Sequence, residues 1–315
     1  MNISKRLMAA AAASLLALTA CGADSTDNTP ADAPSAESIT IEHTQGTTTL
    51  DGPAQTIVAL DLGALDTLNA LGVADRVVGI PEVAAMPEAL ADFSDVETVG
   101  TMQEPNLEKI AELNPDLVIA GFRSAKLTPE LAKNFNVIDV TYGSDESFYD
   151  GVAYASTLIG QAVGLEDETD EQLAELRETI DDAKAKVNPE HKALIVMTTG
   201  GKAGAHGAES RYGVVHKDLG IKPALDNIKT ESHGDPISFE AIQQANPDLL
   251  IVVDRDAAVG QEGAAAEQVL DNELVASTNA WKNDQVVYLD GGRWYLMIHG
   301  LDNSVEMINE IAEAL

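Results

Sequence analysis

The sequence predicts an α/β protein of two lobes joined by one long helix, and three observations carry that expectation. From Ile39 onward short β-branched runs alternate with amphipathic stretches, a charged stretch of helical periodicity interrupts them at 166–187, and a thirteen-residue block occurs twice. The chain has 315 residues, 45% hydrophobic and 23% charged. That is an ordinary composition for a folded protein and enough length for two cores.

Taken in order, the first segment is not part of the fold. Lys5 and Arg6 precede an apolar run of small residues, Leu7 to Ala20, too short to span a bilayer comfortably and built like a secretory signal. It ends in Leu18-Thr19-Ala20-Cys21-Gly22, which resembles the lipobox of bacterial lipoproteins. Cys21 is the single cysteine, which excludes an internal disulfide framework and any multi-cysteine zinc site and marks this thiol as the expected lipidation site. Residues 21–38, rich in Ser, Thr, Pro, Ala and Asp, read as a tether.

The first lobe is expected over 39–165. Thr56 to Leu60 reads as a strand, Leu62 to Leu71 as a helix, and Val77 to Ile80, Leu117 to Ala120 and Val137 to Val140 as further strands. In the connecting stretch 166–187, Leu173, Leu176, Ile180, Ala183 and Val187 recur at helical spacing, and Pro189 stops the helix. The second lobe, 188–315, holds strands at Leu194 to Met197, Leu249 to Val253 and Val286 to Leu289, with Gly200 to Gly207 read as a glycine-rich loop.

The repeat relates the lobes. Leu107 to Ile119 parallels Phe239 to Ile251: in each copy a short helix stops at Asn-Pro-Asp and feeds a buried strand. The register persists, since Arg123 lies nine residues after Asn114 and Arg255 nine after Asn246. Both lobes are therefore expected to be variants of one Rossmann-like plan, with ligands beyond the carboxyl ends of their strands.

The side chains argue for binding rather than catalysis. With 52 acidic against 19 basic residues the net charge is −33, which excludes a nucleic-acid binder. Of seven arginines, Arg123, Arg211 and Arg255 fall at or near strand exits, which suggests a cleft for an anion. The competing reading is local pairing, for example of Arg255 with Asp254 or Asp256. His233 and Tyr295 are donors suited to ferric iron, though a lone His and a lone Tyr are more commonly structural. There is no Gly-x-Ser-x-Gly elbow and no P-loop, and His206, His216 and His299 are scattered along the chain.

The motifs Leu60 to Thr67, Glu209-Ser210-Arg211-Tyr212-Gly213, Ser232-His233-Gly234, Val253-Asp254-Arg255 and Tyr288-Leu289-Asp290, followed by Trp294-Tyr295-Leu296, extend a resemblance over nearly the whole mature chain. It resembles the substrate-binding lipoproteins of ABC importers, in the single-helix-linked class (class III, periplasmic-binding-protein-like) that serves siderophores, haem and cobalamin. Within that class it is most similar to binding proteins for ferric catecholate siderophores of the enterobactin and petrobactin group. The resemblance implies that Arg123, Arg211 and Arg255 grip the anionic ferric complex beside Trp294. It implies that His233 and Tyr295 complete the iron shell when a siderophore offers four donors, and that Glu108 and Glu240 dock on the permease. One departure stands out: relatives continue from Trp-Tyr-Leu into a small, glycine-rich loop, where this chain has Met297-Ile298-His299-Gly300.

The expected function is that of a lipid-anchored receptor on the extracytoplasmic face of the membrane, without enzymatic turnover and with no intrinsic cofactor. Its expected partners are a ferric siderophore and an ABC permease dimer with its ATPase, the receptor itself being a monomer. The alternatives are the same fold carrying haem or cobalamin, and a surface-anchored metal-dependent hydrolase.

Overall fold

The computed structural model describes residues 38–143 and 146–315. The signal segment 1–20, the lipidation site Cys21 and the tether as far as residue 37 lie outside the described residues.

The first half opens with an antiparallel hairpin, β1 (Ile39–His43) with β2 (Gly46–Leu50). A parallel sheet follows, built from β3 (Ile57–Ala59), β4 (Val77–Ile80), β5 (Glu97–Thr98), β6 (Leu117–Ala120) and β7 (Val137–Asp139) in the order β5-β4-β3-β6-β7. Strands β3, β6 and β7 are buried along their whole length, as apolar strands covered on both faces must be. The order reverses between β3 and β6, so the loops leaving these two strands diverge and leave a crevice between them. The helix α1 (Leu62–Ala70) starts directly after β3 because Asp61 accepts a hydrogen bond from the Ala64 N–H at 3.0 Å.

The repeat folds as two equivalent units. Helices α2 (Leu107–Leu113) and, in the second half, the matching Phe239–Ala245 are each capped at the start by a side chain, Asn106 and Ser238. Each ends on an asparagine in the left-handed region, Asn114 at φ 47° and Asn246 at φ 43°. The following proline cannot continue a helix, and the chain enters a central strand.

Two long helices follow the first sheet, α3 (Phe148–Val163) and α4 (Glu166–Lys186). Helix α4 buries Leu173, Leu176, Ile180 and Ala183 along one face, and its charges follow the backbone dipole, with Glu166, Asp167 and Glu168 in the first turn and Lys184 and Lys186 in the last.

The second sheet contains β8 (Lys192–Thr199), β9 (Lys202–His206), β10 (Lys222–Pro223), β11 (Asp235–Pro236), β12 (Leu249–Asp254) and β13 (Val286–Leu289). Its order is β11-β9-β8-β12-β13, with β10 also beside β8. Strands β8, β12 and β13 run parallel, whereas β9 is antiparallel to β8. The glycine-rich loop expected at 200–207 is thus largely a strand: Gly200 and Gly201, at φ +56° and +71°, make a tight turn and Lys202–His206 returns along β8. The remaining helices used below are α5 (Val214–Lys217), α6 (Phe239–Ala245), α7 (Arg255–Ala258) and α8 (Leu301–Ala312).

The last helix does not stay with the second sheet. Helix α8 packs on α4 and α1, and α1 caps it: Asp66 accepts from the Asn303 N–H at 3.0 Å and Thr67 from the Leu301 N–H at 3.2 Å. The chain therefore passes between the halves twice, once through α4 and once through Met297–Gly300.

Candidate functional site

A cavity of about 460 Å³ lies between the two halves; its walls include Phe122, Arg123, Tyr142, Arg211, Tyr295 and His299. Phe122 and Arg123 come from the loop after β6, and Tyr142 follows β7. Arg211 precedes α5, and Tyr295 lies in a single wide turn, Gly292–Leu296, after β13. Wide turns of this kind are common at functional sites.

The β6 loop is held tightly. Phe122 has a left-handed backbone, φ 44°, uncommon for a bulky residue. Its N–H donates to Thr141 Oγ1 at 2.7 Å, and the Gly121 N–H donates to Ser124 Oγ at 2.9 Å. The turn presents Arg123 to the other half, where its guanidinium donates to the Tyr295 carbonyl at 2.8 Å.

Tyr295 is the focus of the site. The guanidinium carbons of Arg123, Arg211 and Arg255 lie 5.0, 5.2 and 5.8 Å from the centre of its ring. Burial opposes ionisation of the phenol, but a hydrogen bond from Arg255 and the positive charge of all three arginines outweigh it, and the Tyr295 pKa lies below its ordinary value. A phenol poised this way gives up its proton to a cationic metal more readily than a free tyrosine does. Its neighbour Trp294 is fully buried, donates its indole N–H to Glu310 at 2.7 Å, and packs on Tyr212 and, beyond it, His206. Burial, with some help from Arg211 and His233, pushes the His206 pKa down to about 4, so this imidazole is neutral.

The structure brings Arg123, Arg211, Arg255 and Tyr295 together and places the other expected residues elsewhere. Arg255 also pairs with Asp256 at 3.1 Å and with Gln261 at 2.7 Å, so the local partner weighed for it is present. Arg211 has no carboxylate within ion-pair distance among the described residues. Trp294 is fully buried and is not part of the cavity wall. His233 is exposed, on a loop whose Thr230 reaches the cavity. Glu108 and Glu240 are exposed in the first turns of α2 and α6. Hydrogen bonding to its own helix N-terminus and to Ser238 lowers the Glu240 pKa. Among the described residues, no group of three or more His, Cys, Asp or Glu side chains comes together to hold a metal ion.

Several wall residues were not found by sequence reasoning. Phe122, Tyr142 and Phe148 give the first half an aromatic face, and Phe122 stands edge-on to Tyr142 at 5.1 Å. His299, from the departing Met297–Gly300 segment, is only 3% exposed and meets Asp61 at 2.6 Å. The signal for Asp61 was its N-cap position ahead of α1; for the aromatic face the linear sequence held none.

Two α/β halves joined by a long helix and facing each other across a cationic cavity define a solute-binding protein. The chain belongs to the periplasmic binding protein family, whose profile matches residues 57–291. It is 37% identical over 305 residues to the petrobactin-binding protein YclQ of Bacillus subtilis, covering 95% of this chain and 94% of that protein. It is 32% identical to the ferric-anguibactin-binding protein FatB of Vibrio anguillarum, with the same coverage of 95% and 94%. The crystal structure of YclQ superposes with a TM-score of 0.84 over 88% of this chain and 98% of that one, at 35% identity. The fold is thus that of class III periplasmic binding proteins. Its relatives are ferric siderophore-binding proteins of ABC importers.

Proposed function

We propose that this protein captures a ferric catecholate siderophore between its two lobes, one built on each sheet with helix α8 returning to the first, and delivers it to an ABC permease dimer energised by an ATPase, without chemical turnover. The observation that carries the reading is the set of three guanidiniums around Tyr295, two of them, Arg123 and Arg211, in a cavity wall that also bears the aromatic Phe122, Tyr142 and Phe148 and the carboxylates Glu146 and Glu209. A ferric catecholate is a flat-faced anion, and arginine serves both properties, pairing with charge and stacking on rings. The net charge of −33 does not prevent this, because charges beyond a Debye length of about 8 Å are screened.

In this reading Arg123, Arg211 and Arg255 hold the anion, and Tyr295 becomes an iron ligand when the siderophore supplies four donors. His233 joins it by movement of the Thr230–His233 loop. Cys21 carries the lipid anchor on the extracytoplasmic face, Glu108 and Glu240 dock on the permease, and the working form is a monomer. The names of the relatives and the cationic cavity support the ligand class; nothing in the cavity favours the hydrolase alternative.

Titration of intrinsic fluorescence with ferric petrobactin tests the reading, since Trp294 adjoins Tyr295 in the Gly292–Leu296 turn. Saturable quenching is expected, along with a new charge-transfer band for a ferric bis-catecholate that is lost in Tyr295→Phe. No quenching by any ferric catecholate, with quenching by haem or cobalamin instead, would overturn it.

A further inference from the structure

Among the described residues, His299–Asp61 is the one buried side-chain pair of His or a basic residue with a carboxylate, and it joins the Met297–Gly300 segment to the start of α1. Asp61 is 0% exposed and His299 3%, and they are separated by 238 residues in sequence. A Cβ at Gly63 would fall 2.5 Å from His299 Nε2, so the imidazole lies flat on α1 where only glycine admits it. Phe122 covers it from the cavity side, ring centres 4.1 Å apart.

Asp61 uses Oδ1 for both the His299 contact and the N-cap of α1. Oδ2 is buried without a hydrogen-bond partner. It lies against the loop that carries Arg123, 3.4 Å from where a Cβ of Gly121 would be. A buried carboxylate with a free oxygen two residues from a ligand-binding arginine is a competitor for that arginine. A carboxylate that is already paired competes less, and a buried one left unpaired competes strongly.

We infer that His299 is a positioning residue for ligand capture: by pairing with Asp61 it keeps the Arg123 guanidinium extended to the Tyr295 carbonyl and available to the anionic ligand. The inference rests on the reading of Arg123 as a ligand contact. His299 needs no contact with the ligand to act this way.

The test is affinity for ferric petrobactin, by fluorescence titration, in Arg123→Ala, Asp61→Asn, His299→Leu, Asp61→Asn/His299→Leu and Arg123→Ala/His299→Leu, each with its melting temperature. Asparagine keeps the α1 cap while removing the charge. Arg123→Ala and His299→Leu should each weaken binding by about tenfold or more. Asp61→Asn should stay within about twofold of wild type, and Asp61→Asn/His299→Leu should recover to within about threefold. Adding His299→Leu to Arg123→Ala should cost nothing further. A purely structural His299 would show loss that Asp61→Asn does not rescue and that adds to Arg123→Ala; either result overturns the inference. If Arg123→Ala binds like wild type, the ligand reading of Arg123 fails and the inference with it. If Arg123→Ala is weak and His299→Leu is not, the inference alone fails. Should His299→Leu not fold, His299→Gln replaces it, with an intermediate loss and the same rescue expected.

Discussion

The two copies of the repeat place an arginine at the same offset and give it different surroundings. After β6, Arg123 donates to a backbone carbonyl across the cavity and forms part of the cavity wall. After β12, Arg255 begins α7 and is held by Asp256 and Gln261, its side chain 19% exposed. Asp256 is itself committed, accepting from the Gly200 N–H at 2.6 Å and from Thr199 Oγ1 at 3.1 Å. A repeated scaffold therefore fixes where a charge sits, while neighbours outside the repeat decide whether it is available.

The largest effect should separate these arginines. Arg123→Ala and Arg211→Ala are expected to weaken ferric petrobactin binding by about tenfold to a hundredfold, the value of one or two charge-assisted hydrogen bonds. Arg255→Ala should cost only about threefold, because part of its charge is already spent on Asp256. Titration of the three single variants checks the order. Equal losses at Arg123 and Arg255 would break the comparison and return the repeat to functional symmetry.

The parts of this arrangement that could be read beforehand are those written locally. The buried runs of β3, β6, β8 and β12, and the spacing of Leu173, Leu176, Ile180 and Ala183 in α4, are short-range patterns. They survive into the structure within a residue or two. Helix α3 is hard to read from sequence because, although Val152, Ala155, Ser156, Ile159 and Gly160 are buried along one face, the rest of its surface carries a single charged residue, Asp150, and so presents little polar contrast. Strand β9 was hidden by its small residues. In the site, strand exits reveal the arginines, whereas Tyr295 stands out only through the resemblance. The contact of His299 with Asp61 and the aromatic face of Phe122, Tyr142 and Phe148 arise only when distant loops meet, and no local pattern encodes them.

A second prediction asks whether the symmetry lost in the cavity persists on the outer surface. Glu108 and Glu240 occupy equivalent first turns, both exposed. Exposed ion pairs are worth about 0–1 kcal/mol each, and more when partly desolvated at an interface. Uptake should therefore fall about severalfold in Glu108→Ala or Glu240→Ala and most in the double variant, with siderophore affinity and melting temperature unchanged. Transport assays at matched expression check this. An effect of one glutamate alone would extend the asymmetry of the arginines to docking.

The same contrast of partnered and unpartnered charge recurs within α1. Asp61 is fully buried, and although burial favours its protonated form, His299 and hydrogen bonding hold its pKa below the ordinary carboxylate value. Asp66, five residues on, makes no ion pair, and burial, reinforced by Asp302, pushes its pKa up to about 7 despite the Asn303 N–H and a weaker pull from His299. A carboxyl raised in the folded state contributes stability that is present below about pH 4 and lost as pH rises towards 7. Asp66 therefore pulls the melting temperature down over that window, against the opposite pull of His206, whose lowered pKa adds stability as pH rises from about 4 to 6.5. Asp66→Asn, which can still accept from Asn303, should raise the melting temperature at pH 7 relative to pH 4 by about 4 °C or more compared with wild type. A variant whose melting profile keeps the wild-type slope between pH 4 and 7 would show that Asp66 is not the group responsible.

The smallest effect returns to the repeat. Asn114 and Asn246 both end their helices in the left-handed region, where glycine is at least as comfortable as asparagine. They differ in one bond: Asn246 Oδ1 accepts from the Asn279 N–H at 2.8 Å, fastening α6 to the chain before β13. For Asn114 the side chain is exposed and the backbone conformation is its main contribution. Asn114→Gly should therefore be neutral or stabilising by a few tenths of a kcal/mol, roughly 0.3, whereas Asn246→Gly should cost about 1 kcal/mol for the lost hydrogen bond. Urea unfolding of both variants measures the difference directly. Equal values would mean that the Asn279 bond is compensated by water, and that at the helix ends, unlike in the cavity, the two copies are interchangeable.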